Sequence, residues 1–274
     1  MSHPYNRNYH QKGYGKRNTV QNATCGVFFT VDGEERRAVK EAMNILEIFS
    51  ADLATGSSAD PISTDHVADT IHKNDVSDEL TTMCESSKGT SNTNDTRFRQ
   101  LDTGVRNTMF FGSSLLSKDN IYKFVDMIVE DCQKNKRCRF LARILPVEET
   151  CTVNMDSIST SLKQIIRSHL YAFCAIHTDA PSYAVDFKQR NNDSLKRQEI
   201  IDLVTSTMAE LSPDSKVNLT EADLVFGVNV VKRTTMLSCL RSYFQRNRFS
   251  IRIASEKDEK DAEVKAEDVV KDQE

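Results

Sequence analysis

The chain has no tryptophan, only five prolines and nine glycines among its 274 residues, and 7% aromatic side chains. So little proline and glycine excludes a collagen-like or proline-rich low-complexity chain, and 38% apolar residues can build a real core. No apolar run approaches the roughly 18 residues of a membrane-spanning helix, and no apolar signal region follows the start; a cytosolic or nuclear protein is the expectation. The seven cysteines (Cys25, Cys84, Cys132, Cys138, Cys151, Cys174 and Cys239) include no Cys-x-x-Cys pair. That argues against a zinc ribbon or a disulfide framework and for reduced thiols, most of them packed in apolar segments. Zinc ligation by Cys132 and Cys138 is conceivable, but lone cysteines beside apolar runs are far more often packing residues.

Motifs of the common catalytic machines are missing as well. There is no Gly-x-Gly-x-x-Gly, no Walker-type Gly-Lys-Ser/Thr and no Gly-x-Ser-x-Gly, so a Rossmann nucleotide or methyl-donor site is unsupported. Four of the six histidines, His3, His10, His66 and His72, fall in stretches too polar to hold a rigid general base. Glu148 and Glu149 are adjacent and would point apart in extended chain. No catalytic residue, metal ligand or cofactor is expected.

The net charge of -4 conceals a segregated pattern. Residues 1–17 carry +4, residues 52–96 carry -7 and residues 256–274 carry -5, whereas residues 97–255 carry +6. The acidic stretches are poor in aliphatics and read as solvated chain, leaving a body with a modest cationic footprint of the kind that suits a polyanion. The first residues mix Tyr5, Tyr9 and Tyr14 with cations and lack aliphatics, so they should form a basic arm.

Periodicity supplies the elements of the body. Cys25–Val31 reads as a strand; Asp32 with Glu35 signals a helix start, and Val39, Ala42, Met43, Leu46 and Phe49 give it one buried stripe. This strand and helix cannot bury a core alone, so they must pair with strands beyond the acidic insertion. Met109–Phe111 is a strand, the apolar positions from Ile121 to Cys132 define a helix, and Phe140–Leu145 is a strand stopped by Pro146. Ile158 to Phe173 and Ile200 to Leu211 mark two further helices. Leu224–Lys232 should be a central strand buried on both faces, followed by a second run from Thr235 to Leu240 after a corner at Arg233-Thr234. Strands and helices alternate, which gives an α/β (α+β) architecture.

The stretch with most chemistry is Phe187-Lys188-Gln189-Arg190-Asn191-Asn192. It ends the alternating strand Tyr183–Phe187 in cations and carboxamides, just before a helix for which Ser194 is the expected N-cap. A phosphate near Lys188 and Arg190 would be favoured by the free N–H groups and positive dipole end of that helix.

Together with Arg197 and Glu199, Lys216-Val217-Asn218-Leu219, Lys232, and Arg143-Ile144-Leu145-Pro146 with Thr150-Cys151, this stretch resembles the THUMP domain of RNA-modifying proteins. More narrowly, the chain is similar to the THUMP adaptors that serve the RNA cytidine acetyltransferase. The Cys25–Thr30 strand, the Arg36–Phe49 helix and the Arg97–Phe111 stretch are similar to that family's ferredoxin-like N-terminal segment. The resemblance covers roughly residues 24 to 252 outside the insertion.

It implies a basic arm (1–20), a ferredoxin-like domain (21–115) interrupted by a disordered acidic insertion (52–96), a THUMP domain (116–254) and a charged tail (255–274). It also implies a non-catalytic adaptor that grips the acceptor end of tRNA and presents the D-arm for 4-acetylcytidine formation by the acetyltransferase, without DNA or membrane. Arg143, Lys188, Arg190, Asn191, Asn192, Arg197 and Lys232 are then the RNA-contact candidates, and a nuclear or nucleolar site of action, with the cytoplasm as the further compartment, follows. The alternatives are an enzyme with an unrecognised site, using Cys151 or Cys174 as nucleophile, and a protein scaffold that binds no RNA.

Overall fold

A computed structural model describes residues 19–54 and 97–252. The expected arm, insertion and tail lie almost wholly outside the described residues. The elements are β1 (Gly26–Val31), α1 (Glu35–Ala54), β2 (Arg99–Leu101), β3 (Thr108–Gly112), α2 (Ile121–Asn135), β4 (Leu141–Val147), β5 (Glu149–Thr152), α3 (Met155–Cys174), β6 (Tyr183–Arg190), α4 (Arg197–Leu211), β7 (Leu224–Val231) and β8 (Thr234–Arg241). A 3-10 turn at Asn247–Phe249 follows.

The first sheet has the order β2-β3-β1-β4 and is antiparallel throughout. With α1 and α2 it forms the βαββαβ ferredoxin-like arrangement that the N-terminal segment promised. As expected, β1 pairs with strands beyond the insertion. Both faces of β1 and β3 are covered: Phe28, Phe29, Phe110 and Phe111 are wholly buried, each contributing about 1.5–3 kcal/mol of apolar burial. On α1, the Glu41 carboxylate accepts the backbone N–H groups of Arg139, Phe140 and Leu141 at 2.7–3.0 Å and so pins the start of β4.

Three boundaries of this unit differ from the sequence reading. The strand expected to stop at Pro146 continues to Val147, with Pro146 paired to Val27. Because β4 is the edge of its sheet, a residue without an N–H costs no ladder bond on the open side. Strand pairing also moves the division of the chain: α2 and β4 complete the first unit, so it runs to Val147 and not to residue 115. Helix α1 starts one turn past Asp32, with the Glu34 carbonyl accepting from Arg37 and Ala38, while Asp32 pairs with Arg252.

The second sheet has the order β5-β8-β7-β6, antiparallel except for the β6–β7 pair. All of β7 is buried. Leu224, Phe226, Val228 and Val230 face the α3 and α4 side, whereas Val225 and Val231, with Ala184, Met236 and Leu240, join the core of the first unit. The second sheet is therefore the middle layer, helices on one face and the ferredoxin-like unit on the other. The β7–β8 corner is Lys232-Arg233, one residue earlier than expected, with Lys232 in the left-handed region at φ 55°.

One residue, Glu148, joins the last strand of the first unit to the first strand of the second. It is 4% exposed, and its Oε1 accepts from the Tyr122 hydroxyl of α2, from His169 Nε2 of α3 at 2.8 Å and from Cys239 N of β8 at 3.2 Å. Arg241 Nη2 lies 3.2 Å from His169 Nδ1; a guanidinium only donates, so Nε2 carries the ring proton toward Glu148. Burial, and then the Glu148 charge, raise the Tyr122 hydroxyl well above its usual pKa and keep it a donor. This carboxylate buckles three elements of both units at their covalent junction.

Candidate nucleic-acid interface

Alternation along β6 decides what each candidate faces. Tyr183, Val185 and Phe187 pack on the helix side, so Ala184, Asp186, Lys188 and Arg190 face the ferredoxin-like unit. Lys188 lies inside the strand and Arg190 is its last residue, paired in parallel register with Asn229 and Val231 of β7. Lys188 Nζ is 2.8 Å from Asp186 Oδ2, which also accepts from the Tyr243 hydroxyl at 3.1 Å. Burial first, then Asp186, push the Tyr243 hydroxyl up to about 12.

Arg190 reaches across to the first unit, its guanidinium carbon 5.9 Å from the centre of the Phe28 ring of β1. Burial, and next the charge of Arg143 on β4, lower its pKa, while Asp186 opposes them. Two guanidinium groups from different units thus lie close enough to repel, and Arg190 Nη1 is buried with no hydrogen-bond partner among the described residues. On the same face, Asn229 Oδ1 is buried and unpartnered. A donor left bare beside a second cation is a shape that a phosphate oxygen satisfies.

Lys232, Asn191 and Asn192 cluster at the adjoining corner. Lys232 is exposed, its amide donates to the Arg190 carbonyl at 2.9 Å, and Asn192 Nδ2 donates to the Lys232 carbonyl at 2.6 Å. Asn191 holds φ 52°, a conformation asparagine tolerates, and Asn192 Oδ1 accepts from Ser194 N and Oγ in a local turn. Asn192 is spent on the loop, so its role is to shape the corner. The Lys232 side chain lies over Gly104 of the β2–β3 loop, where an added Cβ would sit 2.9 Å from Lys232 Cδ.

Arg197 is set apart from the cluster. It is the exposed first residue of α4, in the layer behind the sheet. The helix expected to open at Ser194 begins at Arg197 with Lys196 as N-cap. Glu199 Oε2 accepts the Lys196 N–H at 3.2 Å, so a carboxylate already occupies the helix start where a phosphate was expected. Sequence reasoning missed Asp186, Asn229, Phe28 and Tyr243, which complete the site; for Asp186, its parity with Lys188 and Arg190 was the readable signal.

Residues 153–240, from the start of α3 to the end of β8, match the family model of the THUMP domain. That segment is a THUMP domain, and here it carries the Lys188–Arg190 strand. The chain as a whole is homologous to THUMP domain-containing protein 1. It is 24% identical over 263 residues to the Drosophila melanogaster homolog, covering 90% of this chain and 79% of that protein. It is 22% identical to the Mus musculus and Homo sapiens proteins, covering 82% of this chain but only 63% and 62% of theirs. Among solved structures, PH1313 from Pyrococcus horikoshii Ot3 superposes with a TM-score of 0.45 at 9% identity, covering 79% of this chain and 55% of that one. A 4-thiouridine synthetase in complex with RNA and ATP gives 0.39 at 9% identity, covering 80% and 42%.

Proposed function

We propose that the chain is a non-catalytic RNA-binding adaptor, which holds tRNA by its acceptor end and presents the D-arm to a separate RNA cytidine acetyltransferase for 4-acetylcytidine formation. The observation that carries the RNA-binding part is the buried Arg190 guanidinium nitrogen that lacks a partner, on the face turned to Phe28 of the first unit and within the field of the Arg143 charge. Lys188 and Lys232 extend the cationic surface around it, the exposed Arg197 adds a separate cation in the layer behind the sheet, and the THUMP domain supports the same reading. Contacts to phosphate supply affinity that falls with salt, while the fixed spacing of two rigid units selects a folded RNA over a flexible strand. The acetyltransferase as partner rests on the resemblance of the sequence motifs to that adaptor family. The adaptor reading carries with it action in the nucleus or nucleolus, checked by imaging the tagged chain.

Support for the non-catalytic part comes from Cys151, one of the two candidate nucleophiles, and from the partly buried thiol of Cys25. Burial, then Glu149, raise Cys151 to about 11, and burial, then Glu148, raise Cys25 to about 11, so neither supplies a ready thiolate. The test is a tRNA titration across a salt series. Arg190→Glu and Lys188→Glu should each weaken binding about tenfold or more and flatten the salt slope by roughly one. Unchanged affinity in both would refute the site. Acetylation of tRNA is then followed with acetyl-CoA, with and without the enzyme; product formed by this chain alone would refute the adaptor role.

A further inference from the structure

The opposite end of the THUMP domain has a different surface. Tyr171 near the end of α3 is 82% exposed and Ile176 just past it 76%, while Val217 and Leu219, in the loop before β7, are 57% and 73% exposed. They are four of the five large apolar side chains exposed among the described residues. Scattered exposed apolar groups need no explanation, but a gathering at one end of one domain does. A cleft of about 980 Å³ opens there, with Phe173, Ile176 and His177 on one wall and Thr220–Leu224 on the other. The Phe173 and His177 rings stack at 4.3 Å, which stiffens the first wall.

The rim is acidic. Asp179, Glu221 and Asp223 line the cleft against a single cation, Arg241, which is turned toward His169. Asp223 is engaged by Ser182 N and Oγ, whereas Asp179 and Glu221 make no ion pair among the described residues. The last turn of α3 has no basic residue to offset the negative end of its dipole. Strands β6 and β7 start at this end and finish beside Arg190 and Lys232, eight residues away. Eight residues of strand separate the two surfaces by about 23 Å. A polyanion is attracted at one end and repelled at the other.

We propose that this acidic, apolar end docks a polypeptide segment of the partner enzyme, one that inserts an aliphatic or aromatic side chain between lysine or arginine flanks. Charge complementarity excludes RNA and favours such a segment, and the separation lets both ligands bind together. The inference rests on the preceding reading that a separate enzyme performs the chemistry.

The test uses the full chain with Ile176→Asp/Leu219→Asp and, separately, Glu221→Lys, against purified RNA cytidine acetyltransferase and against tRNA. Each variant should bind the enzyme about tenfold or more weakly with tRNA affinity unchanged, while Arg190→Glu shows the reverse pattern. Wild-type-like enzyme binding by both variants overturns the docking surface and leaves the adaptor reading standing. No complex between the parent chain and the enzyme overturns both. Sedimentation velocity of the chain alone decides the remaining occupant: a dimer that the double variant dissolves assigns the surface to a second copy and overturns the enzyme segment.

Discussion

Replacing Glu148 by alanine is the sharpest test of how the two units are held. The substitution removes one acceptor that serves three buried donors: the Tyr122 hydroxyl, His169 Nε2 and Cys239 N. Cys239 N keeps a partner, because the Tyr122 oxygen lies 2.8 Å from it. The tyrosine hydroxyl and the imidazole N–H are left bare, each costing about 1–3 kcal/mol, and Arg241 loses the only carboxylate of the network. The expected loss is about 3–5 kcal/mol, a large share of the ~5–15 kcal/mol by which domains are usually stable. Glu148→Gln keeps an acceptor oxygen and should cost about 1–2 kcal/mol. Urea unfolding followed by far-ultraviolet circular dichroism measures all of this, since no tryptophan is present to report by fluorescence. Glu149→Ala is the comparison: it gives up the exposed Lys118 and leaves one buried hydroxyl, that of Ser161, without its carboxylate, so the loss should be about 1–2 kcal/mol, well below that at Glu148. Equal losses at positions 148 and 149 would refute the clasp.

Iodoacetamide at pH 7.5 should modify the exposed Cys174 first among the described cysteines and leave Cys151 almost untouched, as read by peptide mass spectrometry. With its pKa near 11, the Cys151 thiolate is scarce at that pH and grows about tenfold per pH unit toward pH 10, so its labelling rate should rise in step. Fast labelling of Cys151 at pH 7.5 would revive it as a nucleophile. Gly26→Ala places a Cβ 2.4 Å from the Phe111 carbonyl, a backbone atom that cannot step aside, and should cost about 3 kcal/mol or more in thermal or urea unfolding. Gly104→Ala meets only the flexible Lys232 side chain but must hold φ 68°; a loss of about 1 kcal/mol is expected, with tRNA affinity reduced as Lys232 is displaced.

Much of the architecture was legible because periodicity is a local property. The apolar stripe from Ile121 to Cys132 and the unbroken β-former run before Lys232 each met one structural solution, a one-faced helix and a doubly covered strand. Boundaries failed where a neighbour decided them. Pro146 reads as a stop, and only the knowledge that β4 is an edge strand makes it tolerable within one. Ser194 reads as an N-cap, but its hydroxyl is taken by Asn192 and the helix starts three residues later. The site was half legible: Lys188, Arg190, Lys232 and Arg143 stand out as cations, yet nothing local says that Arg190 reaches across to Phe28 of the other unit. His169 was hidden in plain view, since it continues the buried α3 stripe of Ile158, Leu162, Ile165 and Ile166.

By itself the sequence determined which segments are strands and helices, that the body is cationic while the insertion and tail are acidic, and which family's motifs the chain carries. Those depend on side-chain volume, polarity and charge read along the backbone. Tertiary structure alone decided that the first unit extends to Val147, that Glu148 clasps the two units, that Arg190 is left with a bare nitrogen beside Arg143, and that four apolar side chains gather at the acidic end of the THUMP domain. These depend on strand pairing between residues tens to more than a hundred positions apart, and hydrogen-bond partners and surface neighbours exist only once that pairing is made.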